Sequence, residues 1–124
     1  MKYDLEQRLT KFSVSIVKLV QSLPNDRACG HLAGQLIRSG TAPALLYGEA
    51  AGAESRKDFI HKMKIALKEL RETSICLTII ADAGYSNSID QYEAILSENK
   101  ELIAIFQKSV VTASKNLEDR MRGY

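Results

Sequence analysis

The chain has 124 residues, 45% of them apolar and 26% charged, with 17 Lys and Arg against 15 Asp and Glu. That composition belongs to one globular domain able to bury its own core, and it excludes disordered and collagen-like classes. A formal charge of +2 neither requires nor forbids an anionic partner, so the placement of charge matters more than its sum.

The start, MKYDLEQRLT, is charged within its first ten residues and has no apolar h-region, so no signal peptide is expected. No apolar run is long enough to span a membrane. The patch from Ile75 to Ala83 is broken by Thr78 and Asp82. A cytoplasmic protein without membrane contact is the expectation. Cys29 and Cys76 have no neighbours at metal-ligand spacing and read as plain buried thiols in a reducing compartment.

The first helix is expected from about Asp4, the N-cap, to Leu23, where Pro24 stops it. Leu5, Leu9, Phe12, Ile16, Leu19 and Leu23 recur at spacings of four and three and form the packing seam. Arg8, Lys11, Ser15 and Lys18 make a basic row offset from it, which is either a solvated face or a contact for anions.

Pro24-Asn25-Asp26 is turn and cap chemistry, so a second helix should begin near Asp26 and bury Leu32, Ala33, Leu36 and Ile37. Gly34 and Gly40 cost roughly 1 kcal/mol each inside a helix and point to close approach by another helix. Pro43 cannot donate to the carbonyl of Ser39. The helix should kink there rather than end, because the run from Ala44 to Ala51 resumes a helical pattern.

A corner at Glu54-Ser55 leads into a capping box, with Ser55 at N-cap and Asp58 at N3. The stretch from Arg38 to Thr73 is therefore an αα-hairpin, around which the other segments are organised. The third helix carries Ile60, Met63, Leu67, Leu70, Ser74, Leu77 and Ala81 on one stripe, with Phe59 and Ala66 beside it. Ala83-Gly84-Tyr85 ends it with glycine at C′. Ser88 to Gln91 reads as a second capping box. Tyr92, Ile95, Asn99, Leu102, Phe106, Val110 and Ala113 then form a fourth seam, widened by Leu96 and Ile103. The pattern weakens after Leu117, and residues 119–124 read as a frayed tail. Loops this short force neighbouring helices to be antiparallel. The expected fold is all-α, one domain over residues 1–124, an up-down-up-down antiparallel four-helix bundle.

Several of these residues occur together in a known family. Arg38-Ser39-Gly40-Thr41, Glu49-Ala50, Ser55, Asp58-Phe59-Ile60, Lys62, Ile65-Ala66-Leu67-Lys68-Glu69 and Glu72-Thr73, in this order and spacing, resemble the bacterial four helix bundle protein family. Its founding members are encoded in intervening sequences of large-subunit ribosomal RNA genes. The resemblance runs from about Phe12 to Phe106. It implies a four-helix bundle, frequently a ring-like homopentamer, with no known enzymatic activity. Relatives include the accessory variability determinant proteins of diversity-generating retroelements, basic pentamers that associate with a reverse transcriptase and nucleic acid. The chain departs from the family at Ala42-Pro43-Ala44-Leu45-Leu46, where Leu46 replaces an asparagine and Pro43 is unusual.

Catalytic chemistry has little to stand on. A di-iron bundle site needs Glu-x-x-His motifs, and only Asp58-Phe-Ile-His61 comes near that spacing, with His31 the one other histidine. No nucleophile-base set, phosphate loop or zinc spacing occurs, so no catalytic residue, cofactor or metal is assigned.

The surface is more informative. Lys57, His61, Lys64, Lys68 and Arg71 fall on one ridge of the third helix. Six Lys and Arg between Arg56 and Arg71 face only Asp58 and Glu69, a local excess of four positive charges. The ridge is either solvation or a track for phosphates. The interleaved aromatics of a base-stacking platform are missing, so base-specific readout is not expected. Ile65, Cys76 and Ile79 lie off the main stripe and, with Val14 and Val17 on the first helix, exceed what one bundle must bury; they are assigned to a subunit interface. Arg38, level with Arg71 and Glu72 across the corner, should pair with Glu72.

The expected protein is thus a non-enzymatic homo-oligomeric scaffold, pentameric by resemblance. It would hold RNA or DNA without sequence preference through Arg8, Lys11, Lys18, Lys57, Lys64, Lys68 and Arg71. The alternative is a scaffold that docks a partner enzyme such as a reverse transcriptase, without touching nucleic acid.

Overall fold

The computed structural model describes residues 2–85 and 89–123, and among them every regular element is a helix. The order is α1 (Lys2–Gln21), α2 (Arg27–Ala51), α3 (Arg56–Asp82) and α4 (Ile89–Met121). Backbones pack α1 against α2, α2 against α3, α3 against α4, and more lightly α4 against α1, while those of α1 and α3 and of α2 and α4 stay apart. That closed square is an antiparallel four-helix bundle with α1 diagonally across from α3.

The helix boundaries follow cap chemistry. Asp26 accepts from the Cys29 amide at 2.8 Å and opens α2; the Ser55 hydroxyl accepts from Asp58 at 3.0 Å and opens α3. At the far end of α3, Gly84 adopts φ +83, the Tyr85 amide donates to the Ile80 carbonyl and the Gly84 amide to that of Ala81. This is a Schellman closure, which satisfies carbonyls that the helix leaves open.

Some boundaries differ from expectation. Asp4 lies in the first turn of α1 rather than at its cap, and α1 stops at Gln21, with Ser22 and Leu23 in tight turns that fold Leu23 onto the core. As expected, α2 does not end at Pro43 but runs on to Ala51. α4 reaches Met121, so residues 119–121 are helical rather than a frayed tail. The Ser88 capping box lies outside the described residues.

The four seams meet in one core. Leu9, Phe12, Ile16 and Leu19 from α1 join Leu36 of α2, Met63, Leu70, Leu77 and Ile80 of α3, and Ile95, Leu102 and Phe106 of α4. Tyr47 and Phe106 meet edge to face, centroids 6.2 Å apart, bridging the α2–α4 diagonal through the centre. α1 approaches α2 closely at Gly40, where an added Cβ would lie 2.8 and 2.9 Å from Ile16 Cγ1 and Cγ2. Gly34, expected to serve the same purpose, is exposed with open space around it. Leu46 packs partly buried against the core, so an apolar contact occupies the position of the family asparagine.

A buried polar layer crosses three helices near mid-bundle. The Thr73 hydroxyl donates to Ser39 Oγ at 2.9 Å, and Asn99 Nδ2 donates to the Leu70 carbonyl at 3.0 Å and to Ser74 Oγ. Asn99 is fully buried, and its Oδ1 has no protein partner among the described residues. Polar groups at this depth pair only in one alignment of the helices, which disfavours register slips.

Candidate nucleic-acid interface

The cations of this chain divide into those held by carboxylates across helix seams and those left on the surface. Arg8 Nη2 donates to Glu98 at 2.6 Å and reaches Glu101 at 3.4 Å; the Glu98 hydrogen bond raises its pKa further. Arg8 therefore ties α1 to α4 and is withdrawn from the set of backbone-contacting residues, because its guanidinium is already engaged. Lys11 and Lys18 remain exposed on α1.

Arg38 spans two carboxylates of α3. Its Nη2 donates to Glu72 and its Nη1 to Glu69, both at 2.6 Å, and Glu72 leads in raising its pKa. Glu72 is the partner that the hairpin corner sets level with Arg38. Glu69 is 7% exposed and shares the same fork, a geometry that only a planar guanidinium supplies. Arg38→Met should lower the melting temperature by leaving Glu69 buried beside no cation, and adding Glu69→Gln should recover part of the loss. Thermal unfolding of the single and double variants checks this; equal melting temperatures for Arg38→Met and wild type would contradict it.

On α3, Lys62 is also engaged, donating to Glu49 across the α2–α3 corner at 2.9 Å. The ridge itself is different. Lys57, His61, Lys64, Lys68 and Arg71 are all exposed, and none of the four Lys and Arg makes an ion pair among the described residues. They stand every three or four residues over the fourteen steps from Lys57 to Arg71, a row about 21 Å long at 1.5 Å rise per residue.

One protomer does not bring all the proposed cations together. Lys11 and Lys18 lie on α1, diagonally across the bundle from the α3 ridge. The structure adds a cation that helical spacing did not reveal: Lys108 of α4 lines the α3–α4 groove with Arg71. On α4 it stands only with Lys100 and Lys115, at spacings of eight and seven, a sparser pattern than the α3 ridge, and the packing of the two helices brings it beside Arg71.

The apolar positions assigned to an interface also divide. Val14 and Ile79 are 47% and 46% exposed, and Val17 and Ile65 are half-buried. Cys76 is not on the outside: it is 7% exposed, sits in the core cluster and donates to the Leu32 carbonyl at 3.4 Å. It is a core residue, not an interface one. Burial pushes the thiols of Cys29 and Cys76 up, which keeps both protonated and unreactive. Ile75, Leu45, Val111 and Met121 are large exposed side chains that the apolar pattern missed, exposed by 62%, 69%, 67% and 73%.

No group of three or more His, Cys, Asp or Glu is placed to hold a metal ion among the described residues. No described helix is long and apolar enough to cross a membrane. A model of the 23S rRNA-intervening sequence protein family matches residues 1–108. The chain belongs to that family. This intervening-sequence protein is also similar to a crystal structure from Bacteroides thetaiotaomicron, described as a protein of unknown function from the S23 ribosomal protein family. The two are 33% identical with a TM-score of 0.80, over 89% of this chain and 98% of that one. No curated protein matches. Neither the family description nor that of the Bacteroides protein indicates an enzyme.

Proposed function

We propose that this intervening-sequence protein is a non-enzymatic, cytoplasmic, homo-oligomeric scaffold that holds nucleic acid by its phosphates along α3. The observation that carries the reading is the contrast in pairing. Arg8, Arg38 and Lys62 are neutralised across helix seams, whereas Lys57, Lys64, Lys68 and Arg71 share one exposed ridge without a carboxylate partner among the described residues. Unpaired cations in a row attract a polyanion without reading its bases. Binding of a fluorescent DNA duplex by wild type and by Lys64→Ala/Lys68→Ala tests it, with weaker binding expected equally for unrelated sequences.

Exposed apolar side chains favour assembly, which would strengthen the same reading. Val14 on α1 and Ile75 and Ile79 on α3 lie on diagonally opposed helices, as a ring needs when one face of each protomer meets a different face of its neighbour. A ring, pentameric by family resemblance, would repeat the ridge around one axis and strengthen weak backbone contacts by multivalency. Light scattering should report a mass several times 13.8 kDa, and Ile79→Asp should reduce it to that of one chain. A wild-type monomer at micromolar concentration would remove the multivalent argument.

The alternative, docking of a partner enzyme such as a reverse transcriptase without nucleic-acid contact, draws on the exposed Leu45, Ile75 and Ile79. It predicts partner retention at high salt and no duplex binding at low salt.

A further inference from the structure

The α3–α4 seam is built unlike the other two seams whose charges are resolved. Between α1 and α4, Arg8 meets Glu98; between α2 and α3, Arg38 meets Glu69 and Glu72. Between α3 and α4 no ion pair occurs among the described residues. Instead a groove lies there, lined by Leu67 and Arg71 of α3 and by Lys108, Val110 and Val111 of α4, with no carboxylate in its lining among the described residues.

The groove therefore combines an apolar floor with charged lining residues that are all cationic. Leu67 is buried, Val110 is half-buried and Val111 is 67% exposed, and Arg71 and Lys108 are exposed without ion pairs among the described residues. A phosphate backbone would gain from the cations and nothing from the floor. An amphipathic helix gains from both, provided that its flanks are acidic.

We infer that the α3–α4 groove is a docking cleft for an acidic amphipathic helix of a partner protein, with an apolar stripe seated on Leu67, Val110 and Val111. Its glutamates or aspartates lie against Arg71 and Lys108. The inference is separable from the phosphate-binding reading: of the ridge residues only Arg71 lines the groove, and Lys57, Lys64 and Lys68 do not.

The test uses the full chain and a synthetic helical peptide with leucines at i, i+3, i+4 and i+7 and glutamates on both flanks. A peptide of the same composition in scrambled order is the control. Fluorescence anisotropy should show binding of the patterned peptide but not the scrambled one. Val111→Glu and, independently, Lys108→Glu should weaken it about tenfold or more, both being exposed positions that leave the core intact. Lys64→Ala/Lys68→Ala should leave peptide binding within about twofold while weakening the DNA duplex, which separates this inference from the ridge reading. Equal binding of the scrambled peptide, or an undiminished Val111→Glu variant, would overturn the proposal. So would a fall in the solution mass of peptide-free protein on Val111→Glu, because a second copy would then already fill the groove.

Discussion

Gly40→Val is expected to lower the melting temperature by roughly 10 °C, the largest effect of any small substitution at the α1–α2 contact. Even the first added carbon would meet Ile16 Cγ1, Cγ2 and Cδ1 at 2.8, 2.9 and 3.1 Å. Ile16 is itself fully buried, so it has nowhere to turn, and three of its carbons must give way together. Replacing glycine inside a helix favours folding by a few tenths to about 1 kcal/mol, whereas overpacking a filled core costs typically 1–3 kcal/mol. The second term wins, and valine's two further methyl groups widen the margin. Thermal unfolding measures the loss directly. Ile16→Ala should then relieve it: each change alone destabilises, but the double variant should be more stable than their sum implies by about 1 kcal/mol or more. Additive effects would mean that α1 and α2 do not touch there.

The fold was legible because every helix repeats its apolar residues on one stripe. Leu9, Phe12, Ile16 and Leu19, or Met63, Leu70 and Leu77, can be buried together only as helices, and Ser55 and Gly84 mark ends by chemistry that acts within a few residues. The surface was less legible, since its chemistry depends on which helices become neighbours. Arg8 and Lys62 belong to basic patterns in the chain, yet Glu98 lies ninety residues from the first and Glu49 thirteen from the second. Cys76 and Ile79 are three residues apart near the stripe's edge, and a modest rotation of α3 puts the sulfur against the Leu32 carbonyl and leaves the isoleucine in water. Lys108 shares its face of α4 only with Lys100 and Lys115, two turns away on either side, and its partners in the groove come from α3, so its place there emerges only from packing.

The second large effect concerns salt. Each phosphate neutralised on a duplex releases counterions, and log K falls with log salt by about 0.9 per contact. If Lys57, Lys64, Lys68 and Arg71 each meet one phosphate, the slope for one engaged protomer is about −3.6, and affinity falls roughly 150-fold between 50 and 200 mM salt. Removing two of the four cations should halve the slope to about −1.8, so that the same rise in salt costs only roughly 12-fold. Several engaged protomers would steepen both slopes while keeping their ratio. The exposed, unpaired state of these side chains is what makes the arithmetic apply, because a cation already held by a carboxylate releases no counterion from the duplex.

The salt dependence of duplex binding by wild type and by Lys64→Ala/Lys68→Ala therefore tests the central claim most directly. The account predicts a steep slope, near −3.6 or beyond, that falls by about half in the variant and is the same for unrelated duplex sequences. A slope near zero, or a steep slope that the two alanines leave unchanged, would contradict an α3 phosphate track.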